Sequence, residues 1–144
     1  REIRERVTAE GVAWLEGVEK IEMHEFLCGV RLLAEERVPA EVRGVVAERL
    51  RVLGEGILGR DEAAWGGYGL TPLQVAPRRD SVLADWVEGD MEGYLRYEVG
   101  RQETGGGWGP RWSWGMFEKE WEVAKRAWRG VLTVEMVAGM ESWG

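Results

Sequence analysis

Apolar residues recur every three or four positions through most of this chain, which is the spacing of one face of an α-helix. The first such stretch covers residues 3–18, and the second covers residues 23–36. A third helix can begin at Pro39, because a proline at a helix start loses no hydrogen bond. Its apolar stripe ends near Ile57, where closely spaced glycines weaken the helix. No stretch alternates with the period of two that a strand requires.

The middle of the chain contains an irregular connection followed by a long helix. Residues 63–80 are rich in glycine and proline and predict a connection with one short turn of helix, capped by Thr71. Asp80 or Ser81 is expected to cap the next helix, since both side chains can accept a hydrogen bond from a helix N-terminus. The apolar stripe runs from Leu83 to Tyr97, and we expect this helix to reach about Arg101.

The last third of the sequence predicts two more helices. Residues 117–128 carry apolar side chains at helical spacing, and we expect Trp121 and Trp128 to lie in the core. The pair Arg129-Gly130 is interpreted as a break, after which Thr133 caps the final helix. Its expected core-facing residues are Val134, Val137, Met140 and Trp143. The pattern thus predicts an all-α chain of six helices, with residues 1–144 forming a single domain.

The composition of the chain argues against some classes of function. The net charge is −7, and acidic residues are interspersed with arginine along the chain. No basic patch is visible, which argues against a nucleic-acid partner, and no apolar run approaches the length of a membrane span. The single cysteine, Cys28, cannot form an internal disulfide, so we expect a reducing, intracellular and cytoplasmic location. Because the chain lacks an initiator methionine, we expect it to be a processed or excerpted part of a longer protein.

One stretch combines several glycines, the most flexible residue, with tryptophan, which has the largest rigid side chain. Residues 102–110 read QETGGGWGP, directly after the predicted long helix. Gln102 can hydrogen-bond to orphan carbonyls at the helix end, and the glycines can adopt positive φ and reverse the chain. Trp108 can then fold back as a large apolar plate. We therefore expect the glycines to bend the chain and the tryptophan to lock the turn.

This stretch resembles a motif of a known family. The spacing of Gln102, Gly106 and Trp108 is similar to the glutamine–tryptophan motif of the squalene cyclase and prenyltransferase-like α/α toroid proteins. Tyr97 stands at the aromatic position of that motif, whereas Glu98 replaces its aliphatic residue. The resemblance implies stacked antiparallel helical hairpins that form an arc or half of an α/α toroid.

The resemblance extends over residues 80–144 through the segments WSWG, WEVAKRAWRG and LTVEM, which look like the C-terminal part of uncharacterised squalene cyclase-like proteins. The catalytic elements of the family are missing. The chain has neither the DxDD motif of triterpene cyclases nor the DDxxD motif that holds magnesium in relatives that use diphosphates. Protein prenyltransferases bind zinc through Asp, Cys and His, but this chain has one His and one Cys. We accordingly expect no cofactor and no metal.

Three residues are candidates for catalysis. His24 and Cys28 lie one turn apart on one helical face, so they could ligate a metal or act as a base and nucleophile. Alternatively, His24 is a half-buried polar residue and Cys28 a small residue of the core. Asp90 interrupts an aromatic stripe, where a carboxyl group could act as a general acid. The alternative for Asp90 is a position at the edge of the stripe, in water or paired to an arginine.

Five aromatic residues lie near the glycine-rich connections. A pocket formed by them could take an apolar or a cationic ligand, because indole faces attract cations and pack on isoprenoid chains. The alternative is that they close hairpins and fill the space between helices. These candidate ligand-binding residues are Trp65, Tyr68, Trp108, Trp112 and Trp114.

Two hypotheses for the function follow. The first is a non-catalytic helical-repeat module for binding or scaffolding, with an aromatic-rich cleft for an apolar small molecule or a protein partner. The second is a terpene cyclase-like or prenyltransferase-like enzyme that acts on an isoprenoid. Terminal helices of a repeat array leave apolar faces without neighbours, so we also expect a protein partner or self-association.

Overall fold

The protein is all-α, as the apolar pattern predicts. A computed structural model describes residues 2–144, except for the side chain of Arg4. Across these residues it contains seven helices, two of them single turns, and one isolated β-bridge between Leu58 and Leu70. None of the described helices is both long and apolar enough to cross a bilayer. The helices are α1 (Glu2–Gly17), α2 (Met23–Ala34), α3 (Ala40–Gly54), α4 (Glu62–Trp65), α5 (Pro72–Val75), α6 (Ala84–Gly100) and α7 (Glu118–Trp143).

The core lies between α2, α3, α5 and α6. Phe26, Leu50 and Val87 are fully buried there, and each contributes about 1.5–3 kcal/mol through burial. The last residue of α3, Gly54, allows the closest approach: a Cβ at this position would lie 2.5 Å from the ring of Trp86 and 2.7 Å from that of Phe26. The glycine that ends the helix is therefore also required for packing.

Helix α1 is attached mainly through its C-terminal end. Arg49 on α3 donates hydrogen bonds to the carbonyls of Leu15, at 2.9 Å, and Val18. These carbonyls would otherwise have no partner, because the helix ends there. Leu15 is buried, but Ile3 and Val7, which belong to the same predicted stripe, are 70% and 58% exposed.

The connection before α6 confirms one prediction and corrects another. Thr71 caps the single turn α5 in a capping box with Gln74, as expected. The long helix does not begin at Asp80 or Ser81, because it starts at Ala84. The Ser81 hydroxyl accepts a hydrogen bond from the Arg78 N–H, and its carbonyl accepts one from the Ala84 N–H. Ser81 thus closes a separate turn that precedes the helix.

The predicted break at Arg129-Gly130 is wrong, because α7 is one continuous helix of 26 residues. Gly130 is exposed, and an exposed glycine inside a helix costs only about 1 kcal/mol. Thr133 does not cap a new helix: its hydroxyl donates to the Arg129 carbonyl at 2.7 Å, within α7. The inward face of the helix confirms the prediction only in part: Met140 and Trp143 pack against the core as expected. Met136 and Gly139 are buried, whereas Val134 is 70% exposed and Val137 52% exposed.

Candidate functional site

The QETGGGWGP stretch forms the second connection, residues 101–117, between α6 and α7. Gly106 and Gly107 adopt φ values of +71° and +87°, which only glycine reaches without strain. Trp108 is buried, and its indole N–H donates to the Glu98 carbonyl at 2.8 Å, in the last turn of α6. The turn is bent and locked as predicted. The capping role expected for the Gln102 side chain is taken by this tryptophan.

A buried carboxylate stabilises the same connection. Glu98 is 1% exposed and forms ion pairs with Arg111 and, at 3.3 Å, with Arg101. Both guanidinium groups also lie over the ring of Tyr97, with Arg101 5.8 Å and Arg111 5.9 Å from its centroid. Leaving this carboxylate unpaired would be strongly destabilising, because burial penalises an isolated charge. Sequence reasoning missed this role, although Glu98 stands where the motif that the stretch resembles has an aliphatic residue.

Arg111 also links the second connection to the first connection, residues 55–71, between α3 and α5. Its guanidinium donates to the Trp65 carbonyl. Trp65 is buried, and its indole N–H donates to the Gly59 carbonyl at 2.8 Å. Each connection therefore contains one buried tryptophan whose N–H binds a backbone carbonyl.

The ring of Tyr94 completes the surroundings of Trp65. The two rings meet edge to face with centroids 5.5 Å apart. Burial raises the pKa of Tyr94 above its ordinary value, and a hydrogen bond with Thr71 opposes this shift. The tyrosine is therefore held in its neutral form inside the core.

Three partly or largely exposed aromatic residues form what we call the aromatic row: Tyr68, Trp112 and Trp128. The ring centroids of Tyr68 and Trp112 lie 5.8 Å apart, and those of Trp112 and Trp128 lie 5.4 Å apart, both edge to face. At one end of the row, Nε2 of His24 lies 3.0 Å from the Tyr68 hydroxyl. Tyr68 is 59% exposed and Trp128 41% exposed. The two connections contribute Tyr68 and Trp112, α2 contributes His24, and α7 contributes Trp128. Their rings form one continuous surface.

The five candidate aromatic residues separate into three places. Trp65 and Trp108 lie in the core, Tyr68 and Trp112 lie in the aromatic row, and Trp114 stacks at a tilt on Trp121 with centroids 5.2 Å apart. Trp121 is buried, as predicted. The prediction that Trp128 lies in the core is wrong. Trp128 stays 41% exposed because it packs against another partly exposed ring, Trp112.

The candidate catalytic residues do not come together. His24 contacts Tyr68, and Cys28 is an exposed free thiol, so neither lies in the core. Asp90 pairs with Arg60, as the alternative interpretation anticipates, and Arg60 lies over the Trp86 ring at 5.5 Å. Within the part of the chain that the structure describes, no group of three or more His, Cys, Asp or Glu side chains could hold a metal ion.

Two surface cavities, of about 570 and 340 Å³, lie apart from the aromatic row. Neither is lined by Tyr68, Trp112 or Trp128. The larger lies between α4 and α6, and the smaller beside the end of α7. Both have mixed walls in which charged groups accompany one or two aromatic rings. The larger is lined by Asp61, Glu62, Trp65, Gly93, Arg96, Tyr97, Gly100 and Arg101.

Fold and site together define an all-α protein with an exposed row of aromatic rings held between two glycine-rich connections. No protein-family model, curated protein or solved structure matches the chain. The resemblance to squalene cyclase-like proteins therefore stays a prediction, as does the toroid arrangement of the helices.

Proposed function

We propose that this chain is a non-catalytic binding module that holds a protein partner on the aromatic row, in the cytoplasm. The observation that carries the proposal is the continuous contact between Tyr68, Trp112 and Trp128 at the surface. Exposed tryptophan and tyrosine side chains are the residues that most often dominate the energy of protein interfaces. They bury a large area on binding and lose little side-chain entropy.

The row is suited to binding because its rings are already positioned. Trp112 is held between two neighbouring rings, and Tyr68 is held by both Trp112 and His24. A partner would therefore order few side chains on this surface, which reduces the entropic cost of association. Such preorganisation favours recognition over a purely structural role.

Electrostatics indicate the chemistry of the partner. The chain carries a net charge of −7, so its field attracts positively charged segments. The faces of indole and phenol rings bind Lys and Arg side chains as well as apolar groups. We propose a partner segment in which basic and apolar side chains lie close together.

The openness of the row favours a protein partner over a small molecule. A site for a small ligand typically encloses 70–90% of the ligand surface. Tyr68 and Trp128 are instead 59% and 41% exposed, and the two surface cavities described above are lined by other residues. An extended partner can cover such a row, whereas an isolated isoprenoid would remain largely in water.

The candidate catalytic side chains are engaged in other contacts, which favours the non-catalytic hypothesis. An isoprenoid enzyme would require Asp90 as an acid or the His24 and Cys28 pair as a metal or nucleophilic site. Asp90 is instead engaged by Arg60, and His24 by Tyr68. The alternative of a terpene cyclase-like or prenyltransferase-like enzyme would gain support from turnover that Asp90→Asn abolishes without loss of folding.

Selection from a random peptide library displayed on phage, with the purified protein as bait, tests the proposal. We expect enriched peptides to combine Lys or Arg with apolar residues and to bind at least tenfold more weakly to Trp128→Ala, a loss of about 1.4 kcal/mol. Trp114→Ala is the matched control, because Trp114 is similarly exposed, at 44%, and contacts one ring outside the row. Equal loss in both variants, or no enrichment at all, would contradict a partner site on the row.

A further inference from the structure

Helix α7 carries a second apolar surface on the side that faces away from the core. Its members, which we call the outer stripe, are all exposed, and Val123, Val134 and Val137 are 63%, 70% and 52% exposed. Val131 beside them is 46% exposed. Solvent-facing positions of a helix are normally polar, so a run of apolar residues there indicates a contact surface. The outer stripe consists of Val123, Ala127, Gly130, Val134 and Val137.

The spacing of the outer stripe is that of a coiled-coil seam. Successive members are four, three, four and three residues apart, and Glu141 continues the pattern. This alternation places side chains at the a and d positions of a heptad, the pattern with which two helices pair along their length. Ala127 and Gly130, in the first half of the stripe, are small enough to let a second helix approach closely.

We propose that the outer stripe binds the same stripe of a second copy of this chain, with the two α7 helices antiparallel. In this register Gly130 of one copy lies beside Val134 of the other, and the remaining layers follow symmetrically. Ala127 then faces Val137, and Val123 faces Glu141. In the inner layers a small residue faces a valine, and in the end layers Val123 faces Glu141. The outer stripe therefore fits a second copy of itself.

Charge complementarity selects the antiparallel arrangement. Arg126 lies within one turn of Val123, so it comes close to Glu141 of the other copy. Neither Arg126 nor Glu141 takes part in an ion pair among the described residues, and Arg126 donates only to the Glu122 carbonyl of its own helix. A parallel pair would place Glu141 against Glu141 at the end of the seam, and Arg126 would lie beside Val131 of the other copy, without a carboxylate partner. It would also align the two helix dipoles unfavourably.

This surface is separate from the aromatic row. At about 100° per residue, Trp128 projects roughly a third of a turn or more away from Gly130 and Val134 around α7. A dimer through the outer stripe therefore leaves the row accessible, and the inference does not depend on the proposed partner. Because the seam spans only about 27 Å at 1.5 Å per residue, we expect a weak dimer that forms as concentration rises.

Sedimentation velocity of the whole chain over a concentration series tests the proposal. The wild-type protein should shift from monomer to dimer between low-micromolar and submillimolar concentration. Val134→Glu should weaken the association roughly tenfold or more, because it places a charge without a partner in the central layer. Val52→Glu is the matched control, since Val52 is 65% exposed on α3 and lies outside the stripe, and it should dimerise like the wild type.

Charge exchange tests the direction of the helices. Arg126→Glu and Glu141→Arg should each weaken the dimer, and the double variant should recover it, because the exchanged pair meets again only in an antiparallel dimer. Circular dichroism confirms folding of each variant. A wild-type monomer throughout the series, equal behaviour of Val134→Glu and Val52→Glu, or no recovery in the double variant would overturn the proposal.

Discussion

The two glycine-rich connections place their aromatic residues in the same way, with one buried and another at the surface. In each, one tryptophan is buried and its indole N–H binds a backbone carbonyl, through Trp65 in the first connection and Trp108 in the second. In each, a later aromatic residue stays at the surface, and these two residues, Tyr68 and Trp112, contact each other. One aromatic residue of each connection thus holds the fold, and another lies in the aromatic row.

The connections differ in how the buried tryptophan is supported. Trp65 packs against the rings of Tyr94 and Tyr97. Trp108 binds the backbone of Glu98, whose buried carboxylate is neutralised by arginines. The first connection therefore depends on ring packing, and the second depends on an ion pair and on glycines with positive φ. Substitutions in the second connection should accordingly destabilise the fold more than substitutions in the first.

Removing the buried tryptophan of the second connection should have the largest effect. Trp108→Ala deletes a buried indole, its hydrogen bond to Glu98 and its packing, and we expect a loss of about 5 kcal/mol in the free energy of unfolding. Urea denaturation followed by circular dichroism measures the loss. Trp114→Ala should cost less than about 1 kcal/mol, because Trp114 is 44% exposed and does not hold the turn. Similar losses in the two variants would refute the distinction between locking and exposed tryptophans.

Breaking the buried ion pair should have the next largest effect. Glu98→Gln leaves Arg111 with a charge near the core and no carboxylate partner, so we expect about 3 kcal/mol of destabilisation. The double variant with Arg111→Met removes both charges and should recover part of that loss, as measured by the same urea titration. A double variant less stable than Glu98→Gln would indicate that the hydrogen bond from Arg111 to Trp65 matters more than the charge pair.

The glycines of the second connection can be ranked. A Cβ at Gly107 would lie 2.5 Å from the Thr133 hydroxyl oxygen, and its φ is +87°, so Gly107→Ala should cost about 2–3 kcal/mol. Gly106→Ala has the positive φ but open space, and we expect about 1 kcal/mol. Gly105→Ala has neither problem and should be nearly neutral. Thermal unfolding of the three variants should follow this order, and any other order would contradict the local geometry.

The first connection should show the smallest effect, visible in alkaline solution. The unfolded chain releases the Tyr94 proton near pH 10, whereas the buried side chain with its raised pKa retains it. Unfolding then releases a proton, so the stability that is fully present below pH 10 falls as the pH rises further. Urea titrations at pH 8.5 and above pH 10 should show a smaller fall for Tyr94→Phe than for the wild type. An equal fall would mean that Tyr94 does not contribute.

The sequence predicted the helices whose apolar residues occupy one face only. Most of the predicted stripe residues of α2, α3 and α6 lie inside, because periodicity identifies a buried face when the opposite face is polar. Val45, in the predicted stripe of α3, is an exception at 46% exposed. Helix α7 has apolar residues on two faces, so periodicity could not decide between Val134 and Met136. The predicted break at Gly130 was wrong for another reason. Thr133, the expected cap of a new helix, instead accepts a hydrogen bond from the backbone N–H of Trp108 at 3.1 Å, which joins the middle of α7 to the second connection.

The site was predictable only in part. The glycines and Trp108 identified the turn and its locking residue, since those residues act locally. The contact between Tyr68 and Trp112 depends on two irregular connections that meet through the fold, and irregular segments have no period to interpret. The pairing of Glu98 with Arg111 likewise joins a helix position to a loop position.

Nuclear magnetic resonance of the indole N–H groups, with a peptide selected on the protein, tests the central claim most directly. The nine tryptophans give separate side-chain signals that can be assigned by substitution. The account predicts that the peptide shifts the signals of Trp112 and Trp128 and leaves those of Trp65 and Trp108 in place. Shifts confined to Trp65 and Trp108, or shifts of Trp114 without Trp112, would contradict the assignment of the aromatic row as the binding surface.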